Sequence, residues 1–420
     1  MFKKFIHIAS GPIMGQGVFF LLTLFLAYKG LTPEVANISI AIGVLSLIQW
    51  CADGGGVFLL GRYCAKNILS EVIGTLYIVR IFYSLVVFVV LFYILPLFYH
   101  NDFLHECIKY SFILCVFGAA NISGLADFLG KNKIIGPFAS LPWLFVSIYI
   151  IWEYYIGNIS NNQYSSVSIV ISYTSGFVIS LLVQYSICWH FFEKTKIKLF
   201  SYKKLIFNEV GGFFFSYFLS QSYARLLPIL VDMYLGKATA GLFAIAKTFL
   251  NIFSQLLMFL RRVENEKIIK VTESSNSSCS DIKPQNIDFL LLKMSWRTSK
   301  FILATSFVSI GALYCIELLM PVVSQKIVLI WWFISISLSS LVIWNYSSIL
   351  GQSLIISGKT TEYALILFIS LLVNIAINIF LFSSFGLWSI IIAELIMYII
   401  QILIFIFKIR YQRRDKKYVL

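Results

Sequence analysis

The sequence predicts an all-α integral membrane protein with about twelve transmembrane helices. Hydrophobic residues make up 59% of the 420 residues and charged residues only 12%, about half of the charged fraction that is usual in a soluble domain. Twelve long apolar stretches follow one another along the chain, each close to the roughly 20 residues that a membrane span needs. Most Lys and Arg residues lie between these stretches. Lipid must therefore solvate most of the apolar surface.

Each apolar stretch is predicted as a helix, because the stretches are too long and too continuously apolar for barrel strands, which alternate. The twelve predicted spans, numbered in chain order, cover residues 8–28, 37–60, 72–98, 108–129, 134–156, 167–190, 209–235, 238–260, 299–322, 327–350, 361–383 and 386–408.

A basic bridge at the middle of the chain divides the spans into two groups of six. The stretch Cys188–Glu209 carries five lysines, the outermost being Lys194 and Lys204. We predict two six-helix lobes, one on each side of this bridge. The predicted domains are an N-terminal lobe at 1–190, a cytoplasmic linker at 191–208, a C-terminal lobe at 209–408 and a basic cytoplasmic tail at 409–420.

The distribution of Lys and Arg predicts that both termini lie on the cytoplasmic side. With the N-terminus inside, 26 of the 33 basic residues fall in inside segments, four fall outside and three lie within spans. Positive charges favour the cytoplasmic side of short loops. The net charge of +14 is thus explained by topology, and we expect no nucleic-acid partner.

The motifs of enzymes are not found in the sequence. The seven cysteines show no CxxC or Cys/His spacing, and there is no Walker A, GxSxG or Gly-rich dinucleotide sequence. We therefore expect a non-enzymatic protein without a metal or cofactor. For a transporter, an ion gradient is then a more plausible energy source than ATP.

Two basic residues inside predicted spans are the first candidates for a binding site. Arg225 lies in span seven and Lys247 in span eight, where a charge is costly and usually faces a cavity or a partner. Arg can hold a phosphate with a fork of donors. The two cations favour an anionic ligand, although Asp53 or Asp232 could instead neutralise them.

Polar side chains at helical spacing add further candidates. In spans seven and eight, Gln221 precedes Arg225 by four residues and Asn251 follows Lys247 by four, so each pair shares a helix face. Spans one and two carry Gln16 and Gln49. These amides either face a cavity or join helices by hydrogen bonds. The acids in or near spans are candidates for ion coupling or gating: Asp53, Asp127, Asp232 and Glu394.

Three features of the chain resemble one transporter family. A DxG…RY-x-A run closes span two (Asp53, Gly55, Arg62, Tyr63 and Ala65), and Gly-Lys turns follow spans four and ten at Gly130-Lys131 and Gly358-Lys359. With twelve spans in two halves, these features resemble the polysaccharide-export branch of the multidrug/oligosaccharidyl-lipid/polysaccharide (MOP) exporter superfamily. Within that branch the chain resembles the bacterial O-antigen flippases, the Wzx proteins.

The resemblance implies a MOP/MATE-like fold, in which two six-helix lobes surround a central cavity, and a flippase of the bacterial inner membrane. The implied substrate is an undecaprenyl-pyrophosphate-linked oligosaccharide repeat unit, which alternating access moves from the cytoplasmic to the periplasmic face. Other membrane proteins of polysaccharide assembly are possible partners. In the family arrangement, spans one, two, seven and eight face the cavity, and here they carry Gln16, Gln49, Asp53, Arg225 and Lys247.

Three alternatives remain open. A cation-coupled multidrug exporter of the same superfamily would have similar spans, although two cavity cations argue against it. A polysaccharide polymerase typically has a large periplasmic loop, whereas the longest predicted outside loop, residues 157–166, is short and uncharged. A scaffolding membrane protein would not need buried charges.

Overall fold

The computed structural model is all-helical wherever it describes the chain, which confirms the predicted fold class. It describes continuous stretches at residues 2–65, 68–159, 163–193, 203–277, 325–356 and 360–417, together with residue 161 and short pieces between residues 296 and 315. No strand occurs in these parts of the chain.

Fifteen α-helices and one 3₁₀ helix make up the long described stretches. In chain order they are α1 Phe2–Tyr28, α2 Thr32–Asp53, α3 Gly56–Ala65, α4 Leu69–Phe98, α5 Asp102–Tyr110, α6 Phe112–Ala119, α7 Ser123–Phe128, α8 Asn132–Ile135, the 3₁₀ helix Gly136–Ser140, α9 Leu141–Tyr155, α10 Ser166–Glu193, α11 Lys203–Leu235, α12 Lys237–Ser277, α13 Gln325–Ile356, α14 Thr360–Phe385 and α15 Trp388–Lys417.

Eight segments of the described chain are long and apolar enough to cross a membrane, or nine if one bent helix pair is a single span. That pair, α5 with the segment Phe112–Ala126, bends by 42°. Predicted span one corresponds to α1, which is apolar over Ile13–Tyr28, and span seven corresponds to the more polar α11. Most of span nine lies outside the described residues.

Two predicted spans are interrupted, which corrects their extent. Span two was predicted as one helix over 37–60, but α2 ends at Asp53 and α3 begins at Gly56. Gly54 and Gly55 have φ angles of 49° and 77°, a region that glycine enters at little cost. Span four is likewise divided among α5, α6 and α7.

Helices also extend into predicted connections. The connection between predicted spans eight and nine, residues 261–298, begins as helix, because α12 continues to Ser277. The basic linker predicted at 191–208 is helical at both ends, since α10 ends at Glu193 and α11 begins at Lys203. The remainder of that linker lies outside the described residues, as does the Gly358-Lys359 turn.

The chain forms two compact units, Met1–Ser277 and Ser278–Leu420. Helix α2 is the centre of the first unit: 16 of its 22 residues are buried, and it packs against α4, α6, α11 and α12. A helix that is apolar on all sides is typical of such a central position. By contrast, α4 exposes large apolar side chains such as Phe82 and Leu97, as expected for contact with lipid. The predicted division into six-helix lobes stays a prediction.

The second unit contains α13, α14 and α15, with α15 packed against both other helices. Leu354, Ile366 and Phe405 form a small apolar core between them. Ser347 Oγ donates a hydrogen bond of 2.6 Å to Gln401 Oε1, which joins α13 to α15. Buried polar side chains in this unit therefore join helices, one of the two roles expected of them.

Candidate functional site

A pocket in the first unit contains four of the residues predicted to bind substrate. Five helices form its wall, namely α1, α2, α9, α11 and α12. Four of these correspond to the spans expected to face a cavity, and α9 adds span five. The lining residues are Gln16, Phe19, Ser39, Ile42, Gly43, Trp143, Ala224, Arg225, Pro228, Ala244, Lys247, Thr248 and Asn251.

Small residues allow the pocket-forming helices to approach one another closely. A Cβ atom on Gly43 of α2 would lie 3.1 Å from the carbonyl oxygen of Arg225 in α11. A Cβ on Gly241 of α12 would lie only 2.0 Å from the carbonyl oxygen of Thr32 in α2. The two glycines thus bring the backbones of α11 and α12 against α2, and Gly43 itself lines the pocket.

Arg225 is a buried cation without a carboxylate partner in the described part of the chain. Its side chain is 9% exposed, and its Nε atom has no hydrogen-bond partner among the described residues. The possibility that Asp53 or Asp232 neutralises Arg225 is therefore not realised in this structure. The guanidinium keeps donors available at the pocket.

Lys247 provides a second cation in the same wall. Its Nζ atom lies 5.9 Å from the centre of the Tyr223 ring, an arrangement in which the ring stabilises the ammonium group. One turn further along α12, Asn251 also lines the pocket. The predicted stripe of Lys247 and Asn251 therefore does face a cavity.

Polar acceptors complete the wall. Gln16 is 2% exposed, and its Oε1 atom has no hydrogen-bond partner among the described residues. Pro228 lacks an N–H group, so the helical hydrogen bond that would reach the carbonyl of Ala224 is missing. Gln16, Ala224 and Pro228 all line the pocket. The site therefore offers two cations together with neutral acceptors suited to hydroxyl groups.

The pocket is small in this structure. Its volume is about 30 Å³, which on this measure holds about two or three water molecules. One compact group, such as a phosphoryl group, is comparable in size, whereas a sugar ring is larger. A saccharide could enter only if the surrounding helices separated.

Two predicted residues lie near the pocket but do not line it. Gln49 is one layer behind the wall, where its Oε1 atom accepts a 2.5 Å hydrogen bond from the Tyr173 hydroxyl. Gln221 is half-buried on α11, one turn before Arg225, and is not among the lining residues. Direct contact between these two side chains and a ligand in the pocket is therefore not seen.

Asp53 belongs to a different polar cluster, at the break between α2 and α3. It is 6% exposed, and its Oδ1 atom accepts a 2.9 Å hydrogen bond from Asn121 Nδ2. The buried Arg80 of α4 interacts with it electrostatically. Arg80 Nη1 also donates to the carbonyl oxygens of Ala119 and Asn121, both at 3.2 Å. This cluster joins two broken helices and does not reach the pocket.

The other predicted acids are also separate from the pocket. Asp232, near the end of α11, accepts a hydrogen bond from the hydroxyl of Tyr99, which follows α4. Burial, followed by this bond to a carboxylate, raises the pKa of Tyr99. Glu394 is buried on α15 in the second unit and acts electrostatically on Tyr398. Asp127 lies on α7, and its side chain is outside the described residues.

Sequence reasoning did not single out Trp143, Tyr173 or Ser39. Aromatic residues make up 17% of the chain, so no pattern distinguishes Trp143 or Tyr173 from lipid-facing rings. Ser39 did carry a signal, because it lies on α2 four residues before Gly43 and shares its face.

Solved transporter structures match nearly the whole chain, although no family model and no curated protein matches its sequence. A mutant of the Vibrio cholerae MATE transporter VcmN is 12% identical, with a TM-score of 0.60, and the match covers 98% of this chain and 97% of that one. A MOP superfamily transporter from Pyrococcus furiosus is 13% identical, with a TM-score of 0.58 and coverage of 97% and 96%.

A MATE structure in a bent conformation also matches, at 13% identity, a TM-score of 0.60 and coverage of 98% and 96%. At such identities the likeness concerns the fold, and it does not distinguish the polysaccharide branch from the multidrug branch. The chain has the fold of the MATE-type transporters of the MOP superfamily.

Proposed function

We propose that this protein is a membrane transporter that moves an anionic, lipid-linked oligosaccharide across the bacterial inner membrane by alternating access. The substrate class is an undecaprenyl-pyrophosphate-linked repeat unit of the O-antigen type, carried from the cytoplasmic to the periplasmic face. The single observation that carries this proposal is the pocket wall with two cations, Arg225 and Lys247, where Arg225 has no carboxylate partner among the described residues.

The charge of the pocket favours an anion over a cation. A buried, unpaired guanidinium is costly, and a bound phosphate would compensate it with charge-assisted hydrogen bonds. A cationic drug would instead meet like charges, which typically cost several kcal/mol. The diphosphate linker of a lipid-linked saccharide has the required charge and oxygen acceptors.

The size of the pocket suggests how such a substrate is held. The present volume of about 30 Å³ accommodates a compact group, so the pocket suits the diphosphate better than the sugars. The saccharide and the lipid would then lie beyond the pocket, along spaces that open when the helices separate. The MATE-type fold supports this reading, because it is a fold of membrane transporters.

A second candidate function is multidrug export. The fold supports it equally, since several of the similar structures are MATE proteins, including one in complex with Br-NRF. The Pyrococcus furiosus MOP transporter, however, is described as having a binding pocket of reverse polarity that suggests a different function. Transporters that share one fold can therefore differ in the charge of their binding pockets. In this protein the positive charge of the pocket favours the anionic substrate.

The test uses cells of the source organism that lack the gene. We expect single lipid-linked repeat units to accumulate on the cytoplasmic face of the inner membrane, and the intact gene to restore surface polysaccharide. Arg225→Ala should not restore it, because the loss of charge-assisted bonds worth about 2–3 kcal/mol weakens binding by roughly 30- to 140-fold. Arg225→Lys should restore it in part, since charge remains but the fork of donors is lost.

Gln221→Ala is the matched control, because Gln221 lies one turn from Arg225 and does not line the pocket. Immunoblots of membranes must show equal amounts of all variants. Normal polysaccharide with Arg225→Ala would refute the proposal. Unchanged lipid-linked pools in the deletion strain, together with increased sensitivity to cationic drugs, would establish the exporter instead.

A further inference from the structure

A chain of polar side chains joins three helix ends next to the pocket. On the predicted topology, α2 begins and α4 and α11 end at the periplasmic face. The hydroxyl of Tyr99, directly after α4, donates a hydrogen bond to Asp232 Oδ2 of α11. Asn101 Nδ2 donates to the Tyr99 hydroxyl at 3.1 Å and to Asn37 Oδ1 of α2 at 3.5 Å. We call these four residues the outer latch.

The outer latch is anchored on the N-terminal helices and reaches α11 through Asp232. Asn101 caps α5, because its Oδ1 atom accepts a 3.0 Å hydrogen bond from the backbone N–H of Leu104. The two Nδ2 hydrogens of Asn101 and the hydroxyl hydrogen of Tyr99 each serve one of the other bonds. The bond that holds α11 is the one between Tyr99 and Asp232. A carboxylate acceptor makes it stronger than a bond between neutral groups.

The outer latch lies about one helical turn beyond the pocket. On α11, Asp232 follows the pocket residue Pro228 by four residues, and on α2, Asn37 precedes the pocket residue Ser39 by two. A proline inside a helix removes one backbone hydrogen bond and is a common point of bending. Bending at Pro228 would therefore move residues 229–235 away from α2 and α4 once the bond to Asp232 is broken.

We propose that residues 229–235 of α11 are the periplasmic gate of the pocket, hinged at Pro228 and held shut by the outer latch. The bond between Tyr99 and Asp232 keeps the pocket closed on this side, and its loss opens the route by which the substrate leaves. This inference rests on the proposed function, because it assigns how the same pocket releases its substrate. Asp232, a candidate for ion coupling or gating, then acts in gating.

The gate is tested by the access of a membrane-impermeant, sulfonated maleimide to the pocket from the periplasmic side. Ser39→Cys places a thiol in the pocket wall, and spheroplasts expose the periplasmic face of the full chain to the reagent. Peptide mass spectrometry measures labelling at position 39 alone, so the native cysteines do not contribute. A pocket of about 30 Å³ is too small for a maleimide, so the labelling rate reports how often the gate opens.

Tyr99→Phe, introduced into the Ser39→Cys protein, should increase the labelling rate about tenfold, because the loss of a bond to a charged acceptor shifts the equilibrium between closed and open gate by about that factor. Asp232→Asn should increase it less, since the amide oxygen still accepts but carries no charge. Pro228→Ala restores the backbone N–H and should return the rate of the Tyr99→Phe variant towards that of the parent.

Tyr83→Phe is the matched control. The Tyr83 hydroxyl also joins α4 to α11, because it donates a 3.3 Å hydrogen bond to the carbonyl oxygen of Phe207. Phe207 lies near the start of α11, at the opposite end from Asp232. The control therefore removes a tyrosine hydroxyl between the same two helices away from the gate, and its labelling rate should equal that of the parent.

Failure of the gate differs from failure of the proposed function. If Tyr99→Phe labels at the parent rate, if Tyr83→Phe accelerates labelling equally, or if labelling increases only in inverted vesicles, the gate is refuted and the proposed substrate is untouched. If Tyr99→Phe accelerates labelling while Arg225→Ala supports normal polysaccharide, the proposed substrate fails and the gate stands. Size-exclusion profiles must show that each variant is folded, and Asp232→Asn decides the outcome should Tyr99→Phe fail to fold.

Discussion

Replacement of Arg80 should destabilise the first unit strongly, even though Arg80 does not reach the pocket. Its Nη1 atom donates to the carbonyls of Ala119 and Asn121, both at 3.2 Å. These carbonyls lie where α6 ends, so no helical N–H group satisfies them. Arg80→Ala removes both bonds and also removes a positive charge that interacts electrostatically with the buried Asp53 carboxylate.

The expected cost follows from these losses. A buried acceptor left without a donor costs about 1–3 kcal/mol, and Arg80→Ala leaves two such carbonyls beside the buried Asp53 carboxylate. Because the terms overlap, we expect about 4 kcal/mol for Arg80→Ala. That is a large fraction of the total stability of a typical domain. Arg80→Lys should cost roughly half as much, since a lysine keeps the charge but reaches fewer acceptors.

The assay is thermal unfolding of the detergent-solubilised protein, followed by the fraction that stays monodisperse in size-exclusion chromatography. The double variant Arg80→Ala/Asp53→Asn should be more stable than Arg80→Ala alone, because it also removes the buried negative charge with which Arg80 interacts. If Arg80→Ala unfolds at the temperature of the unmodified protein, or if Asp53→Asn adds a further loss to it, the assigned role of the cluster is wrong.

Two further predictions concern helix packing and a hydrogen bond near the end of α11. Gly241→Ala should cost about 1–3 kcal/mol of stability by overpacking, because the added Cβ would lie 2.0 Å from the carbonyl oxygen of Thr32. Gly17→Ala is the control: its added Cβ would have no atom within 4 Å, so it should be neutral or stabilising in the same unfolding assay. Equal unfolding temperatures would contradict the close approach. Tyr99→Phe should cost about 1.5 kcal/mol by loss of the bond to Asp232. Since the pKa of Tyr99 is raised, this contribution is complete below the ordinary tyrosine pKa of about 10 and is lost only as pH rises through the higher value. The difference from the unmodified protein should therefore stay constant between pH 7 and pH 9, and a decline within that range would refute the assignment.

The candidate site could be predicted in part from local rules. A charge within an apolar span is costly, which is why Arg225 and Lys247 were identified, and helical spacing added Asn251. Their meeting in one pocket with Gln16 depends on the packing of α1, α11 and α12, which no local pattern specifies. Gln221 shares a face with Arg225 in sequence but does not line the pocket.

The acids were the least predictable residues. Asp53 was interpreted as a candidate for coupling because it lies near the end of a predicted span. Its environment depends instead on two helix breaks, one between α2 and α3 and one after α6. These breaks place Asn121 and Arg80 beside Asp53. Apolarity does not reveal such a break, because both halves of an interrupted span remain equally apolar, and the glycines at positions 54 and 55 are the only local signal of the break after α2.

By itself, the sequence determined the membrane environment, the helical class and the cationic character of the candidate site. These properties follow from the free-energy cost of placing backbone polar groups and charges in lipid. Each residue contributes to that cost separately, so the sequence alone is enough to estimate it. The tertiary structure alone decided which side chains meet: the Tyr173–Gln49 hydrogen bond behind the pocket wall, the Arg80 cluster, and the close approach of α11 and α12 to α2 at Gly43 and Gly241. Such contacts depend on how helices that are distant in the sequence pack together, and neither composition nor periodicity specifies that packing.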